Sequence, residues 1–61
     1  MTEKEKIREV ITELIFDNMR LKTELQNKAA ANQLTDDETS ELLDLIAKNR
    51  KIIEMLEKEL K

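Results

Sequence analysis

The chain has 61 residues, 41% of them charged and 39% hydrophobic, with 14 acidic against 11 basic side chains and a net charge of -3. It has no Cys or His, which excludes disulfides, thiolate metal sites and imidazole chemistry, and the mild acidity gives no general attraction to nucleic acid or anionic membranes. Gly and Pro are also absent. A highly charged chain without either residue has the composition of long helices, so the fold class expected is all-α.

The first start signal is Thr2-Glu3-Lys4-Glu5. It fits a capping box: the threonine hydroxyl accepts from a free backbone N–H of the first turn, and the glutamate reaches back to the threonine N–H. From here apolar residues recur at alternating steps of four and three through Ile7, Ile11, Leu14, Leu21 and Leu25, with Asn18 in phase. This is a heptad stripe, and it predicts helix one over about residues 3–31. The connector, about residues 32–35, contains Asn32, Gln33 and Leu34 and lacks the glycine that usually ends a helix. A second capping box, Thr35-Asp36-Asp37-Glu38, opens helix two, expected over about residues 36–60 with its stripe on Leu42, Ile46, Asn49, Ile53, Leu56 and Leu60. Acids in both first turns suit the positive end of the helix dipole, and Lys28, Lys58 and Lys61 suit the negative ends.

If the chain folds back near Gln33 and Leu34, the two stripes pair layer by layer: Ile7 with Leu60, Ile11 with Leu56, Leu14 with Ile53, Asn18 with Asn49, Leu21 with Ile46 and Leu25 with Leu42. The result is an antiparallel two-helix hairpin, one domain over residues 1–61. The heptad phase also continues through Lys28, Asn32, Thr35 and Thr39, so one long helix pairing antiparallel with a second copy gives the same layers. Four successive polar seam residues and an N-cap in mid-chain favour the fold-back.

The Asn18–Asn49 layer gives up apolar burial. Its expected role is register setting, because any shifted alignment leaves a buried amide unpaired. Val10, Leu45 and Ile52 flank the seam on one side, Ile15 and Leu43 on the other. That stripe is wider than a two-stranded seam needs, and a lone hairpin buries little surface, so two hairpins are expected to dimerise into a four-helix bundle. Phe16, the one aromatic residue, and Met19 fall outside the stripe, with Thr12 and Thr23 nearby at helical spacing. With Arg20 as a charged rim, Phe16 and Met19 form the expected partner-binding patch.

Chemistry has little foothold: there is no nucleophile–base pair, no Gly-rich phosphate loop and no Glu-x-x-His ligand pair, so neither catalysis nor a cofactor is expected. Glu9, Glu13 and Asp17 share a ridge that reads as a solvated face. Lys48, Arg50 and Lys51, with Arg20 and Lys22, are the main concentration of positive charge. Part of it is expected in i,i+4 pairs, Asp44 with Lys48 and Glu54 with Lys58. No apolar run approaches membrane-spanning length, and the polar start Met1-Thr2-Glu3-Lys4-Glu5-Lys6 is unlike a signal peptide, so a soluble cytoplasmic location is expected.

Two families of helical hairpins share features with these residues. In its 61-residue length, its Thr35-Asp36-Asp37-Glu38 turn and its single Phe16 on helix one, the chain resembles the repressor-of-primer family of hairpin dimers. That resemblance implies binding of paired RNA loops, although Glu9, Glu13 and Asp17 stand where the family surrounds its Phe with basic and amide side chains. Ser40-Glu41-Leu42-Leu43-Asp44 resembles the Ser-Gln-Glu-Leu-Asp motif of the small sporulation aspartyl-phosphate phosphatases at Ser40, Leu43 and Asp44. It implies dephosphorylation of a response regulator, with Ser40 and Asp44 as the carried-over residues. From the residues themselves, the expected function is a small non-enzymatic regulator or adaptor that binds itself and another protein, with RNA the less favoured partner and no membrane contact.

Overall fold

In a computed structural model that describes residues 2–61, the chain is a hairpin of two helices, α1 (Glu3–Ala30) and α2 (Asp36–Glu59). Each ends one residue earlier than the periodicity implied. At 1.5 Å per residue, α1 alone accounts for about 42 Å of length, and the molecule measures 45 × 16 × 12 Å. The heptad phase that runs unbroken through the connector is therefore not used as a continuous helix.

Both helices start on threonine. Thr2 and Thr35 have extended backbones, and their hydroxyls accept from the Glu5 and Glu38 N–H groups at 3.2 and 3.1 Å. Each bond satisfies one of the donors that a helix start leaves without an intrahelical partner. The second capping box closes differently from expectation: the Glu38 carboxylate meets Lys28 Nζ at 2.7 Å instead of turning back to the Thr35 N–H.

Without glycine, α1 still ends in a left-handed residue. Asn32 has φ 57°; its N–H donates to Ala29 O at 3.1 Å, and the following Gln33 N–H donates to Lys28 O at 2.9 Å. These two bonds form a Schellman motif, and asparagine is the residue after glycine that best tolerates this conformation. Leu34 is then half-buried beside the end of the seam, and Thr35 opens α2.

Every seam position from Ile7 to Leu25 and from Leu42 to Leu60 is buried or half-buried, whereas the apolar flanking residues are exposed. Leu42 and Ile46, each 8% accessible, are the deepest. Burial of a Leu or Ile side chain contributes about 1.5–3 kcal/mol, so these two and the half-buried layers around them supply most of what holds α1 to α2.

Candidate interaction surfaces

The two seam asparagines meet. Asn49 Nδ2 donates to Asn18 Oδ1 at 2.9 Å, and Asn18 Nδ2 donates to the backbone carbonyl of Ile46 at 3.3 Å. The layer is therefore asymmetric: Asn18 makes both bonds, and Asn49 reaches only Asn18. Its second bond recruits a carbonyl from one of the two deepest residues, which ties the amide to a single level of α2.

At the turn, the Lys28 ammonium lies between Glu38 Oε2 at 2.7 Å and Glu24 Oε1 at 3.6 Å. The Glu38 hydrogen bond, followed by its charge, raises the Lys28 pKa above its ordinary 10.5. The same hydrogen bond and charge lower Glu38 below its ordinary 4.5. The sequence marks Lys28 as a helix-end charge and as a polar residue in the heptad phase, and neither reading names Glu38 as its partner. The available signal was its seam position one heptad step past Leu25, where by register it faces Thr39, the neighbour of Glu38.

The expected partner patch divides in two. Phe16 is 63% and Met19 56% exposed on the outer side of α1. The hydroxyls of Thr12 and Thr23 donate back to Arg8 O and Met19 O at 2.9 and 3.0 Å, which satisfies them locally. Phe16 lines a shallow groove together with Arg8, Glu9, Thr12 and Glu13. Arg20 is drawn off instead, its Nη2 lying 3.0 Å from Asp17 Oδ1. Met55, 66% exposed on α2, is a further apolar surface residue that periodicity did not single out.

Ion pairing also departs from expectation. Among the described residues the pairs are Asp17–Arg20, Glu24–Lys28 and Lys28–Glu38, and neither Asp44–Lys48 nor Glu54–Lys58 closes. Folding distributes the basic cluster around the hairpin: by heptad position Lys22 and Arg50 flank one side of the seam, Arg20 and Lys48 lie toward the other, and Lys51 falls on the back of α2. No single face gathers them around Phe16. Ser40 and Asp44 are both exposed one turn apart on α2.

Among the described residues, no group of three His, Cys, Asp or Glu side chains could hold a metal ion, and no helix is long and apolar enough to cross a membrane. No protein-family model, no curated protein and no solved structure matches the chain.

Proposed function

We propose that this protein is a small non-enzymatic adaptor or regulator that works through protein–protein contact, as an assembly of hairpins in which two copies form a four-helix bundle. The observation that carries this reading is the imbalance between its inside and its outside. Among the described residues two are buried, while Val10, Ile15, Phe16, Met19, Leu43, Leu45, Ile52 and Met55 remain 43–66% exposed. Scattered single apolar residues on a surface need no explanation, but this many on a two-helix unit leave more apolar area outside the seam than one hairpin covers. The flanking residues Val10, Ile15, Leu43, Leu45 and Ile52 serve self-association. Phe16 and Met19, outside the flanks, are the surface for a foreign protein, with Arg20 at the rim once released from Asp17.

Two measurements test the reading. Light scattering on the purified chain should give a mass above one copy. Tagged wild-type protein and Phe16→Ala, recovered in parallel from the native host with and without nuclease treatment, should differ by a protein that copurifies in stoichiometric amount only with the wild type, nuclease or not. A partner retained equally by Phe16→Ala removes the patch from the proposal, and one lost on nuclease treatment replaces protein recognition by nucleic-acid recognition.

A further inference from the structure

The two flanks of the seam differ in charge at matching levels. In an antiparallel pair, the residues just outside the core on one side of each helix neighbour one another across the seam. The register fixed by the Asn18–Asn49 bond assigns Asp17 and Glu24 of α1, on the first flank, to the levels of Ile52 and Leu45 of α2, respectively. Lys28, which touches both Glu24 and Glu38, shows that these acids of different helices occupy the same side. The same register assigns Ile15 and Lys22 of α1, on the second flank, to the levels of Arg50 and Leu43 of α2. The first flank therefore pairs an apolar residue with an acid at two successive levels, and the second pairs an apolar residue with a base at the same two levels.

We propose that the acidic flank of one hairpin packs against the basic flank of a second copy of this chain. This rests on the self-association proposed above and specifies its faces. Each layer of such a contact combines two apolar side chains with one acid and one base, for example Ile52 and Ile15 with Asp17 and Arg50. Acidic flank on acidic flank would instead bring two acids into each layer, and basic on basic two bases; like charges held together in this way oppose association. Arg20 and Lys28 already lie on acids of the first flank and Lys48 lies toward it, but Glu38 and Glu59 share the heptad position of Leu45 and Ile52, so four acids against three bases leave this flank acidic. The contact uses different surfaces on the two copies, so it is heterologous. A pair of hairpins makes four helices but keeps one unused flank at each end, and growth continues as concentration rises.

Variants that disable one flank each test the assignment. Leu45→Gln with Ile52→Gln removes the two apolar residues of the acidic flank other than Val10, and Ile15→Gln with Leu43→Gln removes both of the basic flank. All four positions are exposed, and helicity is checked by circular dichroism. In sedimentation equilibrium, each variant alone should be monomeric, and an equimolar mixture should form a discrete species of twice the mass. One variant that still dimerises while the mixture forms no hybrid means a like-on-like interface and overturns the proposal, as do two variants that both assemble like the wild type. A wild type that stays monomeric up to its highest soluble concentration overturns self-association itself. Charge variants give an independent reading: Lys22→Glu with Arg50→Glu, and Asp17→Lys with Glu24→Lys, should each block assembly alone and restore it when mixed. Failure to restore it counts against the charge pairing.

Discussion

The asymmetry of the asparagine layer yields a prediction that a symmetric amide pair would not. Asn18 donates to Ile46 O and accepts from Asn49, so Asn18→Leu removes both bonds and leaves the Asn49 amide without a partner. Asn49→Leu removes one and leaves Asn18 still bonded to Ile46 O. Leucine adds similar apolar area at either position, since both asparagines are half-buried. The two variants should therefore differ by one hydrogen bond, about 1 kcal/mol, with Asn18→Leu the less stable. For a chain of this size that corresponds to roughly 4–8 °C in the thermal midpoint. The double variant removes both amides together, which is close to neutral, and gains about 1 kcal/mol for each partly buried leucine. It should be more stable than the wild type, while a broadened distribution of assemblies would reveal the lost register. Thermal unfolding at one fixed protein concentration, closed as a double-mutant cycle, reads the coupling directly. Equal midpoints for the two single variants, or Asn49→Leu the weaker, would refute the assignment of the Ile46 bond; a more stable wild type with an unchanged assembly would refute the register role.

Asn32, held at φ 57°, should accept glycine with little change in stability, whereas Asn32→Val should cost about 1–2 kcal/mol because a β-branched residue resists the left-handed region; equal denaturation midpoints for the two would remove the Schellman turn as the reason the chain folds back. The Lys28–Glu38 pair predicts opposite pH limbs. The contribution of Glu38 is complete above its ordinary 4.5 and is lost as pH falls through its lowered folded value, and that of Lys28 is complete below 10.5 and is lost as pH rises through its raised folded value. The midpoint difference between wild type and Glu38→Gln should thus be largest between those limits and shrink on both sides, with a small, salt-sensitive amplitude because both side chains keep more than a third of their surface in solvent. A difference independent of pH would exclude the pair as its source.

Much of the hairpin is legible in the sequence because its determinants are local or periodic. Heptad spacing repeats through each half, and each threonine cap is read from a few adjacent residues. The turn is less legible, since Asn32 sits in the heptad phase as if the helix continued, and its left-handed backbone substitutes for a glycine the chain lacks. Lys28 does lie in the last turn of α1, as its sequence position implies, but its contact with Glu38 depends on the return of α2, whereas sequence spacing reports only neighbours on one helix. The ion pairs expected at Asp44–Lys48 and Glu54–Lys58 show the reverse error. Correct i,i+4 spacing permits such a pair, but an exposed pair gains so little free energy that spacing alone does not decide whether it closes.

The surface for a foreign partner and the surfaces for self-association are separable by position. Phe16 lies on α1 opposite the seam, so a stacked neighbour on either flank leaves it accessible. Met19 is one turn from both Ile15 and Lys22, which places it at the border between the Phe16 surface and the basic flank. Phe16→Ala should therefore abolish partner binding with no change in the mass of the assembly, while Met19→Ala should weaken both. Light scattering and a binding assay on the same preparations separate the effects. Loss of mass in Phe16→Ala would mean that the two surfaces are one, and that the exposed aromatic residue serves the hairpin's contact with its own copies.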